Sequence, residues 1–183
     1  MSESPLVVAI SGSLRETSTT CLALEHALSA AETAGATTEL VDLREWELPL
    51  FDPDDRDRGD AEALRALLDD ADAVVLGTPV YHGMVSSALK NALDYLGRDE
   101  FRDTTVGLLA TAGGGSYGPA LEHLRTGVRT VHGWTLPHEV GIRNASDAFD
   151  DDGAFVDADI EARVRTLGRM VAANAGTEPK AAV

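Results

Sequence analysis

The sequence predicts an α/β protein, a three-layer sandwich around a five-stranded parallel sheet of order 2-1-3-4-5. Two patterns predict it. Short apolar runs rich in β-branched residues lack polar alternation, as strands covered on both faces do. Between them lie stripes with the i, i+3, i+4, i+7 spacing of amphipathic helices. Strands alternating with helices require parallel pairing, and right-handed crossovers then cover both faces of the sheet. A length of 183 residues with 44% hydrophobic content suits one domain over residues 1–183 with a full core.

The elements follow in order. Residues 6–11 (LVVAIS) form the first strand, and Leu24, Ala27, Leu28 and Ala31 share the face of the first helix. Residues 38–43 (TELVDL) form the second strand. Residues 45–59 read as a long polar loop, and Ala61, Leu64 and Leu68 mark the next helix. Residues 73–77 are the third strand, followed by a long stripe through Val85, Leu89, Ala92 and Leu96, whose helix Ser86 or Ser87 could cap. Residues 105–111 are the fourth strand, with Leu121, Leu124, Val128 and Val131 on its helix. Residues 134–142 hold a fifth strand interrupted at Pro137, and Ile160, Val164, Leu167 and Val171 mark the last helix. Residues 176–183 are expected to fray.

Charge and composition exclude several functions. A net charge of −16 argues against nucleic acid as a partner. No apolar stretch approaches the ~20 residues of a membrane span, and the N-terminus lacks a signal peptide's basic region. The single cysteine, Cys21, excludes an internal disulfide and a multi-cysteine metal site. A free thiol in an unexported chain suggests the cytoplasm. His26, His123, His132 and His138 show no metal-ligand spacing, so no metal is expected. Lys90 and Lys180 are the only lysines, and acids crowd residues 52–60 and 147–161. This acidic, lysine-poor composition resembles that of proteins from salt-loving microbes, in which salt screens self-repulsion.

In a doubly wound sheet, ligands bind beyond the carboxyl ends of the strands near the switch in strand order. Three segments occupy that edge. Residues 12–20 (GSLRETSTT) lead into a helix, and a helix N-terminus offers unpaired N–H groups and partial positive charge. Ser13, Ser18, Thr19 and Thr20 add hydroxyls and Arg15 a charge-assisted fork, a set suited to phosphate. Gly12 permits a tight turn. No Gly-Lys-Ser/Thr follows, so this is not a P-loop. Capping by Ser18 or Thr17 is the plainer reading of the same hydroxyls. Residues 79–83 (PVYHG) place an aromatic beside a glycine, which suits a flat ligand. Residues 110–118 (ATAGGGSYG) formally contain G-x-G-x-x-G at Gly113, Gly115 and Gly118. They follow the fourth strand rather than the first, and no ribose-binding acid is well placed, so a Rossmann dinucleotide site is not expected. Cys21, in the first turn of its helix, reads as a small packed residue more than as an activated thiol.

Gly12-Ser-Leu-Arg15 with Ser18, Thr78-Pro-Val-Tyr-His-Gly83 and Leu89-Lys-Asn-Ala-Leu-Asp-Tyr95 together resemble the flavodoxin-like NADPH-dependent FMN reductase family. The resemblance implies that Ser13, Arg15, Ser18 and Thr20 hold the FMN phosphate, with Thr19 beside them. It implies that Pro79, Val80, Tyr81, His82 and Gly83 line the isoalloxazine, and that Ala112, Gly113 and Gly114 meet its pyrimidine edge. Thr20 and His82 each stand where that family usually has asparagine. His82 either touches the flavin edge or is a plain polar substitution. Lys90, Asn91 and Asp94 are expected in structural contacts between helices or subunits.

The implied activity is that of an FMN-dependent oxidoreductase. NADPH, with NADH an alternative, passes hydride to flavin N5, and a flavin, quinone, azo compound or similar small acceptor then takes the electrons. No side chain is assigned as catalytic. A homodimer or homotetramer is implied as well. Two other readings stay open: a flavodoxin-type electron carrier without a hydride-donor site, and a binding module without flavin.

Overall fold

The computed structural model describes residues 4–176. Along the chain run β1 (Leu6–Ser11), α1 (Thr19–Thr33), β2 (Thr37–Asp42), α2 (Ala61–Asp69), β3 (Ala73–Pro79), α3 (Ser87–Tyr95) and α4 (Arg98–Phe101). Then come β4 (Thr105–Thr111), α5 (Gly118–Thr130), β5 (Trp134–Thr135), β6 (Val140–Ile142) and α6 (Ala158–Asn174). The strand order is β2-β1-β3-β4-β5, and β6 also pairs with β4. Every strand pairing is parallel. β1 has β2 on one side and β3 on the other, which sets the switch in strand order between β1 and β3.

The expected fifth strand is present in two pieces. Trp134 and Leu136 donate to the Thr104 and Val106 carbonyls at 2.9 Å. This ladder ends at Leu136, just before Pro137, and pairing resumes at Val140. β3 runs two residues past its expected end, because Thr78 and Pro79 stay in register with Ala110 and Thr111. α3 starts at Ser87, within the stripe that begins at Val85, because Ser86 is the cap expected of the serine pair and accepts from Leu89 N–H at 3.2 Å. The short α4 and a 3-10 turn at Ala145–Asp147 have too few residues to show a periodicity. Of the tail expected to fray, residues 177–183 lie outside the described residues.

Alternation along the strands divides the core into two layers. Val7, Ala9, Val75, Leu109 and Val140 pack against α1 and α6. Val8, Ile10, Val74, Leu76 and Leu108 face α2, α3 and α5. Each fully buried Leu, Ile or Val contributes about 1.5–3 kcal/mol relative to exposure. α1 and α6 lie very close: a Cβ added at Gly168 would stand 1.9 Å from the Ala27 carbonyl oxygen.

The polar loop after β2 is firmly tied. Asn91 on α3 donates to the Leu48 and Pro49 carbonyls at 3.1 and 2.9 Å and accepts from Phe51 N–H at 2.9 Å. Tyr95 donates to the Pro49 carbonyl at 2.9 Å and meets Phe51 edge to face. At the far end Glu47 N–H donates to the Asp60 carboxylate, and Asp60 N–H to the Glu47 carbonyl. Asn91 thus serves the structural role expected of it. Lys90 and Asp94 form an ion pair one helical turn apart on the same helix.

Candidate functional site

The loops after β1, β3 and β4 meet at the carboxyl edge of the sheet. Ser86 joins the first two: its hydroxyl donates to the Gly12 carbonyl at 2.7 Å while capping α3. Its own N–H donates to the Thr78 hydroxyl at 3.0 Å. Gly12 is required for this proximity more than for a turn. A Cβ there would lie 2.6 Å from both Leu89 Cβ and Ser86 Oγ, and Gly12 has no left-handed φ.

The first loop has the donors of an anion site. Among the described residues, the N–H groups of Leu14, Glu16, Thr17 and Ser18 have no protein acceptor. Ser18 caps α1 by accepting from Cys21 N–H at 3.0 Å, and Ser13 accepts from Arg15 N–H at 3.4 Å. Both hydroxyl hydrogens therefore remain available to an acceptor. Ser13 and Ser18 are buried and Arg15 is exposed with no carboxylate partner among the described residues. Thr19 is half-buried at the first position of α1. Thr20 is buried, and its hydroxyl pairs with that of Thr111 at 2.7 Å, tying this loop to the end of β4. The capping reading and the anion reading of Ser18 are compatible, because one oxygen accepts the cap bond while its hydrogen points elsewhere.

Cys21 belongs to the support beneath the loop. Its thiol donates to Ser11 Oγ at 2.9 Å, and Ser11 Oγ also accepts from Ser13 N–H at 3.4 Å. Burial pushes the thiol pKa up, a shift only partly opposed by the bonds with Ser11 and Ser18. The helix N-terminus does not make it a reactive thiolate.

In the second loop, Tyr81 and Met84 exchange N–H···O bonds of 3.2 and 2.9 Å around His82 and Gly83. His82 and Gly83 have φ of 53° and 76°, the pair of positive values that a two-residue type I′ turn demands. The turn suits the asparagine that the resemblance implies at the His82 position, because asparagine and histidine both tolerate left-handed backbone better than most side chains. His82→Asn should leave stability within about 0.5 kcal/mol, whereas β-branched His82→Val should lose roughly 1–2 kcal/mol. Thermal melts of the two variants check this. Val80 N–H donates to the Thr111 carbonyl at 2.8 Å, so Pro79 and Val80 continue the line of the sheet, while Tyr81 projects as an exposed ring.

In the third loop Ala112 is buried and committed: its N–H donates to the Ile142 carbonyl at 2.8 Å, and its carbonyl accepts from Ala145 N–H at 3.0 Å. Free donors begin at Gly113. The N–H groups of Gly113, Gly114 and Gly115 have no protein acceptor among the described residues. None of the three has a positive φ, and a Cβ at Gly113 or Gly115 would meet nothing within 4 Å. The fold itself therefore does not ask for glycine here; a closely approaching ligand would. Tyr117 covers Gly141 of β6, where a Cβ would fall 2.1 Å from its ring carbons.

The residue set fits FMN on the chemistry of its donors. Unpaired amides, two buried hydroxyls and Arg15 suit a phosphate dianion, and an open run of amides beside a glycine turn suits the edge of a flat polar ring. Among the described residues no group of three or more His, Cys, Asp or Glu could hold a metal ion.

A 2-1-3-4-5 parallel sheet with anion donors after β1 and bare glycine amides after β4 defines a flavodoxin-like α/β fold with its candidate site at the carboxyl edge. Within that class, the chain belongs to the NADPH-dependent FMN reductase family, whose sequence profile matches residues 5–147. It is 40% identical over 95 residues to the FMN-dependent NADPH-azoreductase of Staphylococcus aureus (strain USA300), a match covering 52% of this chain and 50% of the relative. The chain thus spans about half the length of the curated relatives it matches. The apo form of an NADH:FMN oxidoreductase superposes with a TM-score of 0.79 at 20% identity, covering 96% of this chain and 92% of the other. A flavodoxin from the domain Archaea gives 0.68 at 12% identity, covering 92% and 96%. These two likenesses establish the fold.

Sequence reasoning named the loop residues and missed their supports. Ser11, Thr78 and Thr111 are buried hydroxyls at strand ends. Polar residues closing otherwise apolar strands were the available signal.

Proposed function

We propose that this chain is an FMN-dependent NAD(P)H oxidoreductase, acting as one flavin-binding unit over residues 1–183. The carrying observation is the glycine run at 113–115, which nothing in the fold requires and which exposes free amides beside the anion loop. Bound FMN would supply the chemistry, accepting hydride from the nicotinamide donor and passing electrons to a second substrate. The chain's residues bind and orient. Ser13, Arg15 and Ser18, with the amides of residues 14–18, hold the phosphate, and Thr19 and Thr20 shape the helix start beneath it. The 79–83 turn supports the ring, and the Gly113 and Gly114 amides donate to its polar edge.

The acceptor in this reading is a small aromatic molecule such as a quinone, an azo compound or a free flavin. A cavity of about 440 Å³ between the tied polar loop, α3 and the anion loop supports it, walled by Leu14, Trp46, Leu48 and Leu50. Leu14 and Leu50, 57% and 83% exposed, offer such an acceptor apolar surface at the cavity wall. A second cavity of about 690 Å³ between α3 and α5, lined by Leu93, Leu124, Gly127, Val128 and Val131, supports a homodimer. Light scattering should give twice the chain mass, falling to the monomer mass in Gly127→Arg. The reading places the protein in the cytoplasm, where its free thiol stays reduced. No described helix is long and apolar enough to cross a membrane.

The acidic surface adds a reading of its own, adaptation to salt. Raising ionic strength from about 0.15 M to above 1 M should raise the melting temperature steadily, because screening shortens to about 3 Å. A midpoint that is flat or falling in sodium or potassium chloride would count against it.

The primary test is spectroscopic. The protein is purified in high salt, loaded with FMN, desalted, and mixed with NADPH without oxygen. Retained flavin absorbance that bleaches supports the reductase. Retained flavin that neither NADPH nor NADH bleaches identifies an electron carrier instead. If no flavin is retained, the bound-flavin reading fails.

A further inference from the structure

Arg143 stands at the rim of the glycine loop, outside every group of residues assigned above. It follows the last residue of β6, Ile142, whose carbonyl accepts from Ala112 N–H at 2.8 Å. Two residues on, Ala145 N–H returns to the Ala112 carbonyl at 3.0 Å. Between them, the Asn144 side-chain oxygen is 3.6 Å from where a Cβ of Gly114 would be. Residues 142–145 are thus fastened along the third loop. The Arg143 guanidinium lies over the Tyr117 ring, 5.5 Å from its centroid. It is exposed and has no carboxylate within ion-pair distance among the described residues, although the chain carries a net charge of −16.

A guanidinium braced on an aromatic ring keeps its planar edge free to grip a phosphate through two parallel N–H···O bonds, and its other face free to stack on a flat base. Phosphate beside a purine is what a 2′-phosphorylated adenosine offers. A strongly acidic chain repels such a polyanion, so a fixed cation at the mouth has a large relative effect. We propose that Arg143 is a specificity-determining residue, recognising the 2′-phosphate of the hydride donor and so selecting NADPH over NADH. This rests on the oxidoreductase reading for its purpose. The site itself is a distinct binding property, separate from Arg15 and the flavin phosphate.

The test uses FMN-loaded protein, with adenosine 2′,5′-bisphosphate and 5′-AMP titrated by calorimetry as donor fragments. The wild type should bind the bisphosphate at least about tenfold more tightly. Arg143→Gln should abolish that preference, and Arg143→Lys should restore part of it, with flavin content and spectrum unchanged in both. In turnover, KM for NADPH should rise about tenfold in Arg143→Gln, while kcat and the KM for NADH stay fixed. The proposal is overturned if the wild type shows no preference or if Arg143→Gln keeps it. It is also overturned if both fragments weaken equally, which would point to general steering or pyrophosphate contact. A wild type that prefers the bisphosphate but never bleaches its flavin with NADPH would sink the reductase reading and leave this site standing.

Discussion

Replacing Arg15 by alanine should weaken FMN binding by about ten- to a hundredfold and leave riboflavin binding unchanged. A hydrogen bond to a charged group is worth about 1.5–3 kcal/mol, and each 1.4 kcal/mol is tenfold in affinity. Arg15 is exposed and its side chain makes no hydrogen bond or ion pair among the described residues, so its removal breaks neither. Riboflavin has the same ring without the phosphate, so the ratio of the two dissociation constants isolates the anion term. Flavin fluorescence quenching measures both. Equal losses for FMN and riboflavin would place Arg15 at the ring, and no loss for either would remove it from the site. Ser18→Ala is a poorer probe, since Ser18 also caps α1.

The second large effect concerns stability. Gly168→Ala should cost about 3 kcal/mol, a fall in melting temperature of roughly 6–12 °C for a chain of this size. The added methyl would meet the Ala27 carbonyl at 1.9 Å, and a helix backbone in a packed core cannot retreat by that much. Gly127→Ala provides the contrast. It too lies within a helix, but its Cβ would meet nothing within 4 Å. A single methyl is small enough to be held in the α3–α5 cavity that Gly127 lines, so replacing glycine there should add up to about 1 kcal/mol of helix propensity. Thermal melts of both variants decide the matter. A Gly168→Ala protein as stable as the wild type would mean that α1 and α6 are farther apart in solution.

Most of the architecture was legible because its signals are local. The strands buried on both faces show as apolar runs, and each principal helix shows as a stripe. Residues 134–142 announced both a strand and its interruption, which Pro137 marks. Boundaries were less legible where a distant partner sets them. β3 extends to Pro79 because β4 continues beside it. The stripe runs back to Val85, yet the helix begins only at Ser87, after the cap that Ser86 supplies, as the serine pair predicts. In the site, hydroxyls, arginine and glycines marked the right loops, but what each one touches depends on other strands. Thr20 meets Thr111 across 91 residues, and Ser86 reaches Gly12 across 74. No spacing rule encodes such pairs. The backbone of His82 was hidden for another reason: a His-Gly pair is not one of the Asn-Gly or Asp-Gly pairs that signal a type I′ turn in a sequence.

The fastening of the polar loop has an evolutionary meaning. Asn91 and Tyr95 clamp residues 48–51, and the Glu47–Asp60 bonds close the loop at its base. Residues 53–59 are exposed and carry little of the core. Lengthening such a closed segment costs little, since each doubling adds only about 0.6 kcal/mol of closure entropy. Residues 53–58 can therefore be rewritten between lineages, like an exchangeable cassette, without disturbing the sheet or the phosphate loop, whereas Gly59 is held by its left-handed backbone and by the Glu47 carbonyl, 2.0 Å from where a Cβ would stand. Descendants of this scaffold would diversify first beside the Leu14–Trp46–Leu50 cavity while keeping Asn91, because the clamp makes the surrounding variation affordable.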